Sequence, residues 1–304
     1  MSLALSENAQ PSDMACTRLR ASKSNIRFIN RTMKLQNTFA FLAKSMAALT
    51  LTSFAISACA QGDASSARLH PWQAAAPRLT AEAYFTNLKD GDQIETPYLL
   101  KFGLSGGWGL APIAQPGRER SGHHHLLVNR DLPLNFKQAL PFNDQYIHFG
   151  KGQMETVLTL EPGTYTLRML LADQQHLPHF VFSKPTRITV TRKSSSDPKA
   201  LSVKGLSIGL EGSTQKNPFR VQFHASALDV AHRAQGIANT GHFRLTVTPE
   251  GGRGSPAVME FSEGQTEVWL APPPGSYKLQ LDLIDNVTPG KLMAESARTT
   301  AKVE

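Results

Sequence analysis

Cysteine is nearly absent from this 304-residue chain, which has two, Cys16 and Cys59. A disulfide framework and a thiolate metal site are therefore both excluded. Charged residues are 18% and aromatic residues 8% of the chain, and nothing long follows a helical period, so a coiled coil is excluded. Hydrophobic residues at 40%, with 22 Gly and 19 Pro, rule out a wholly disordered chain and describe a globular protein with many turns. The sequence contains no nucleophile elbow, P-loop, dinucleotide fingerprint or HExxH motif. Glu155 as a general base and Asp173 as an orienter of a histidine are the available catalytic candidates, and both recur as Glu267 and Asp285 in a repeat described below, which favours structural duties. Catalysis is thus the weaker expectation. The net charge of +8 resembles a nucleic-acid signal, but residues 1–58 hold seven Lys/Arg against two Asp/Glu. The remainder is close to neutral, which argues against a nucleic-acid partner.

The uncharged run Met46–Ala58 (MAALTLTSFAISA) has the length of a signal-peptide apolar region and is short for a bilayer span. It ends in Ile56-Ser57-Ala58-Cys59, which resembles a bacterial lipobox. That resemblance implies lipidation of Cys59 and a membrane as partner, held through the acyl chains. Met33-Lys34 makes a better signal-peptide start than Met1, so residues 1–58 read as an over-long start plus a lipoprotein signal peptide. Ala60 after the cysteine leans towards the outer rather than the inner membrane, and the expected location is the periplasmic side of the bacterial envelope. Residues 59–80, rich in Gln, Ser, Ala and Pro without a period, read as a flexible tether.

The chain repeats itself. Residues 149–173 (FGKGQMETVLTLEPGTYTLRMLLAD) align without a gap to 261–285 (FSEGQTEVWLAPPPGSYKLQLDLID), with eleven of twenty-five positions identical. Upstream, SGHHHLLV at 121–128 aligns with TGHFRLTV at 240–247. The spacing is a domain length, not a solenoid period. Two copies follow, at 81–193 and 201–304, joined by a polar linker at 194–200. Each shows short alternating segments between Pro-Gly and Gly-rich turns: Tyr98–Gly103, His123–Asn129, Thr156–Leu160, Tyr165–Leu171 and Thr186–Thr191 in the first. The second repeats them at Phe219–Ala225, His242–Thr248, Glu267–Leu270, Tyr277–Leu283 and Arg298–Val303. The fold class is all-β: two tandem immunoglobulin-like β-sandwich domains, with a small Greek-key barrel as the near alternative.

The first copy, with SGHHHLLVN, the stretch from Asn143-Asp144 to His148-Phe149-Gly150-Lys151-Gly152-Gln153, and Asp173-Gln174-Gln175-His176-Leu177-Pro178-His179, closely resembles the bacterial family DUF4399. A Pro-Lys-acid-Gly element of that family is answered by Leu88-Lys89-Asp90-Gly91, with Leu in place of Pro. The second copy reads as a degenerate relative. The resemblance implies a fold and no activity.

Function therefore rests on histidines most of which the second copy lacks. Along a strand, side chains alternate between faces. His124, Leu126 and Val128 correspond to Phe243, Leu245 and Val247, which marks the core face. His124 is expected to support the site from within and to seek a hydrogen-bond partner. His123 and His125 correspond to His242 and Arg244 and are expected to project outward together, close enough to reach one metal ion. His148 stands where the second copy has Glu260, and His176 and His179 form an H-x-x-H pair in a turn without a histidine counterpart. His123, His125, His148, His176 and His179 are the expected ligands of a divalent transition metal, zinc or copper(II), or else the contacts of another small ligand, supported by His124, Asp173 and Gln153. Histidines that merely tie loops together are the competing reading. His70, His224 and His232 read as incidental. The other functional class is a structural or adhesive envelope protein that recruits a protein partner by strand addition. A hydrolase or redox enzyme would require a substrate-sized pocket beside the histidines.

Overall fold

Alternation of apolar and polar residues produces strands throughout. The computed structural model describes residues 69–77, 80–114, 119–252 and 254–304, and within these there is no α-helix. The expected signal peptide and Met33 start, Cys59 and the first part of the expected tether lie outside the described residues. Ahead of the first copy lies β1 (Gln73–Ala74), followed by β2 (Ala83–Phe85), β3 (Gln93–Thr96), β4 (Tyr98–Leu104), β5 (Gly109–Leu110) and β6 (Ser121–Val128). The first copy continues with β7 (Tyr146–Phe149), β8 (Glu155–Leu158), β9 (Gly163–Ala172), β10 (Pro178–Phe182) and β11 (Thr186–Lys193). The second contains β12 (Gly205–Gly209), β13 (Thr214–Gln215), β14 (Phe219–Ser226), β15 (Asp229–Val230) and β16 (Thr240–Pro249). It ends with β17 (Ala257–Phe261), β18 (Glu267–Leu270), β19 (Gly275–Asp285) and β20 (Ala297–Val303).

Each copy is a two-sheet sandwich. The first pairs β2-β4-β8 as one sheet and β3-β11-β9-β6-β5 as the other, with β7 and β10 added at β6 and β9. The second repeats this with β12-β14-β18 and β13-β20-β19-β16-β15, with β17 at β16. Even the parallel pairings recur: β3 with β11 and β5 with β6 in one, β13 with β20 and β15 with β16 in the other. The tyrosine shared by the two copies has the same duty in each. The Tyr165 hydroxyl donates to the Glu161 carbonyl at 2.9 Å and that of Tyr277 to the Pro273 carbonyl at 2.6 Å, fixing the same corner.

The stretch expected as a tether is structured over its described end, where Gln73 and Ala74 pair with Leu270 and Trp269 of the second copy. Trp72 packs edge-on against Tyr277, which gives this segment an apolar anchor. Beyond the connecting segment at 194–200, the two copies are joined by packing. One continuous apolar core runs through both, from Phe102, Leu126 and Met169 to Phe223, Phe243 and Leu281.

The junction relies on reciprocal contacts between equivalent residues. Val230 N–H donates to the Gly152 carbonyl and Leu110 N–H to the Gly264 carbonyl, each at 2.9 Å. A Cβ on Gly152 would lie 2.0 Å from the Val230 carbonyl oxygen, and one on Gly264 would lie 2.4 Å from that of Leu110. The repeated Gly-Gln pair thus marks the point where backbone meets backbone, and Gln153 and Gln265 each accept the N–H two residues earlier to shape the turn. Glu155 reaches from the first copy to His224 (2.9 Å) and the Ser226 hydroxyl (2.6 Å) of the second. Its counterpart Glu267 receives the Tyr84 hydroxyl at 2.7 Å from the first. His224, read as incidental from sequence, therefore belongs to the buried polar seam. Hydrogen bonds from His224, Ser202 and Ser226 outweigh the cost of burial and hold the Glu155 carboxyl down to about 2.

The core triads match as well. Phe102 meets His124 at 4.9 Å and Phe149 at 4.7 Å, just as Phe223 meets Phe243 at 5.3 Å and Phe261 at 4.7 Å. His124 thus occupies a phenylalanine position, and both its ring nitrogens are buried without a partner among the described residues. The hydrogen bond expected for it is not there, because the neighbours at that depth are aromatic and aliphatic. Burial alone pushes its ring down to about 3.

Gly152→Ala should destabilise the chain by about 1–3 kcal/mol or more, because φ is +95° and the Cβ has no room. Gly212→Ala, at φ +85° with open space around it, carries the dihedral strain alone. Equal losses for the two in urea melts would show that the junction is not closely packed. His124→Phe should raise stability at pH 7 by about 1–3 kcal/mol, since an unpaired buried polar ring is removed. A histidine with a lowered folded value stabilises only above its unfolded value of 6.5 and loses that contribution as pH falls towards 3. Denaturation at pH 5 should therefore show the advantage of Phe grown by about 2 kcal/mol over pH 7; an unchanged advantage would show that His124 is not held neutral.

Candidate metal centre

The strand β6 carries His123 and His125 on the face opposite His124. Its register places His125 across from His148 on β7 and His123 across from Ala172 on β9. The sequence suggested an outward, polar face here, but every residue of β6 is buried. The cover comes from residues 130–145, a segment richer in apolar groups than its short counterpart in the second copy. Leu140, Leu132 and Phe136 pack with Leu127, Leu170 and Phe182 over the sheet, which closes that face to solvent.

The fourth imidazole arrives from the turn after β9. Asp173 Oδ1 accepts the N–H groups of Gln175 at 2.9 Å and Leu177 at 2.8 Å. That clamp carries His176 at φ +63°, and the His176 carbonyl accepts Leu140 N–H at 2.9 Å. Asp173 therefore positions His176 without touching the other rings, while Gln153 shapes the Gly150–Gly152 turn and stands apart from the cluster.

Four rings meet as a result. His123 Nε2 lies 3.1 Å from His176 Nδ1, and His125 Nε2 lies 2.9 Å from His148 Nδ1. One nitrogen from each of His123, His125, His148 and His176 falls within 4.8 Å of all the others, a group that could hold a metal ion. Nitrogens around a tetrahedral zinc at 2.0–2.1 Å are separated by about 3.4 Å, so the donor set needs only small adjustments. The tautomer of one ring is fixed. His148 Nε2 lies 2.9 Å from the Pro141 carbonyl, which can only accept, so Nε2 carries the proton and Nδ1 turns its lone pair to the cluster. Phe142 stacks on His148 at 3.8 Å and meets His176 edge-on at 4.7 Å, though it is itself 69% exposed.

These rings are held neutral. Burial, reinforced by the neighbouring imidazoles, pushes His123 down to about 3 and His125 lower still. Burial lowers His148 and His176 as well, while a carbonyl for His148 and Asp173 for His176 pull the other way. The arrangement offers lone pairs, not charge. The equivalent place in the second copy is solved differently. There His242 contacts Asn286 Oδ1 at 2.7 Å and Glu260 Oε2 at 3.1 Å, and Arg244 Nε donates to Glu260 Oε1 at 2.6 Å. A side-chain ion pair stands where the first copy gathers four bare imidazoles.

His179 is a correction. Its ring lies against Trp108 at 4.8 Å and outside the four-histidine group, because β10 carries it alongside β9 towards Ser121. His232 caps a short turn by accepting Ala234 N–H, and His70 similarly accepts Trp72 N–H. Phe142 and the Pro141 carbonyl were missed by sequence reasoning. The available signal was the extra length of the first copy between β6 and β7.

Comparison with known proteins adds the following. No curated protein matches the sequence. Among solved structures, the fibronectin(III)-like modules of Clostridium thermocellum CbhA match at 9% identity and TM-score 0.23, covering 73% of this chain and 94% of that one. A two-domain fibronectin type-III segment of chicken tenascin matches at 15% identity and TM-score 0.21, covering 73% and 97%. The family model described as "Domain of unknown function (DUF4399)" matches residues 100–191 and again 221–304. Both sandwiches are thus accounted for, and the chain belongs to the DUF4399 family, of which it carries two copies.

Proposed function

We propose that this protein is a lipid-anchored bacterial envelope protein whose first copy binds a divalent transition metal, zinc or copper(II), through His123, His125, His148 and His176. One observation carries the metal reading: four neutral imidazole nitrogens converge within 4.8 Å. Neutral imidazole is the ligand form, and an all-nitrogen set without thiolate suits zinc or copper(II). Lipidation at Cys59 and an envelope location rest on the lipobox-like Ile56-Ser57-Ala58-Cys59. A structural role with a protein partner is the second reading, favoured by the exposed apolar group Phe142 at the site and by Leu134 and Phe180, which are exposed elsewhere on the first copy.

Calorimetric titration of the purified chain with Zn²⁺ or Cu²⁺ should show one tight site. His123→Ala combined with His125→Ala should weaken it by at least about a hundredfold, since losing even a group that only orients a ligand can reach that size. His179→Ala should leave it unchanged. Metal at a hundred times the wild-type dissociation constant should stabilise the wild type by about 2.7 kcal/mol and the double variant by about 0.4 kcal/mol or less. Affinity no better than that of a surface histidine pair would end the metal reading. If the double variant still captures an envelope protein in pull-down, the second reading is the one supported.

The pH profile follows from the lowered histidines. Protons compete with metal only below a ligand's own value, and all four ligands lie below the ordinary 6.5. Affinity should therefore stay level from pH 8 to pH 6.5 and begin to fall only at more acid pH. A decline already in progress at pH 7 would show rings that titrate like exposed ones.

A further inference from the structure

The four imidazoles are not enclosed on every side. His148 and His176 form part of the wall of a cleft of about 600 Å³ that both copies build. Ile113 and Phe142 from the first copy and Ile237 from the second give it apolar walls, and Lys151 and Asp229 also line it, the charge of Lys151 acting on Asp229. Its size suits a small organic molecule, and apolar walls with a few polar groups are the usual make-up of such sites.

The repeat supplies a comparison. The corresponding cleft on the other side of the junction is lined by Glu263, the counterpart of Lys151, together with Glu119, Arg120 and His232. Charge is thus inverted at the equivalent position, and among the described residues that lining has no aromatic or isoleucine wall. Near the histidines, a bound divalent ion and Lys151 together would exceed the negative charges of Asp229 and of Asp173 beside His176, because the imidazoles themselves are neutral. Electrostatics in a half-enclosed space then selects an anion, and the walls select one with an apolar body.

We propose that this cleft binds a small monocarboxylate with an apolar body, its carboxylate held by Lys151 beside the metal at His148 and His176, its body packed on Ile113, Phe142 and Ile237. The proposal rests on the metal reading above and deepens it by naming the ligand class. It also gives the second copy a role, since that copy builds one wall of the site.

The test uses the full chain, loaded with one equivalent of Zn²⁺ and titrated calorimetrically with 3-phenylpropionate, 3-phenylpropionamide and acetate. The carboxylate with the ring should bind at least about tenfold more tightly than either the neutral amide or acetate, as expected for a lost charge-assisted bond or lost apolar contact. Lys151→Met and Ile237→Asn should each weaken it by about tenfold while Zn²⁺ binding, measured on the same samples, stays intact and reports the fold. Zn²⁺ binding without phenylpropionate binding would overturn the proposal, as would equal affinity for the amide or indifference to Lys151→Met. Absence of Zn²⁺ binding would defeat the metal reading; titration of the metal-free chain and its Lys151→Met variant would then decide the cleft on Lys151 alone, with no binding counting against it.

Discussion

Imidazole rings brought this close to one another cannot all carry protons on the nitrogens that face inward. At 2.9 Å and 3.1 Å, each facing pair can share one hydrogen, and a positive charge on any ring is opposed by its neighbours and by burial. That constraint organises the first copy. The segment at 130–145 covers β6, the Pro141 carbonyl fixes one tautomer, and Asp173 moulds the turn that delivers the last ring. Each of these features lowers the freedom of the nitrogens to pair with water. What remains for the lone pairs is each other or a cation.

The second copy provides the contrast within the same molecule. Substituting Arg244 and Glu260 for His125 and His148 converts a lone-pair cluster into a bonded ion pair, with His242 retained and satisfied by Asn286 and Glu260. The same backbone frame therefore tolerates two electrostatic solutions. Its permissiveness comes from the junction, which is built of backbone contacts at Gly152 and Gly264 and of the polar seams around Glu155 and Glu267. None of these involves the ring cluster, so the site could diverge without loosening the core.

A good part of the architecture was legible because alternation along strands is local. The split of the GHHH run into a core ring and an opposite pair follows from residue parity, and the comparison of His124 with Phe243 placed the core side correctly. Parity says nothing about what covers the other side, so His123 and His125 read as outward when they are buried. His179 illustrates a related limit. Its spacing from His176 suggested a pair, but the intervening turn and the start of β10 send the two rings to different neighbours. His224 looked incidental because its partner, Glu155, lies sixty-nine residues away.

The amino-acid sequence by itself determined that there are two β copies, where their strands alternate, and that histidines are concentrated in only one of them. These are properties of short-range pattern, set by side-chain period, turn residues and internal comparison. Tertiary structure decided which four histidines share a centre, that Phe142 lies over it, that both copies enclose one core, and that a cleft opens beside the rings. Those outcomes depend on how distant segments pack in three dimensions, where contact distance and exclusion of water, rather than residue order, set which groups meet.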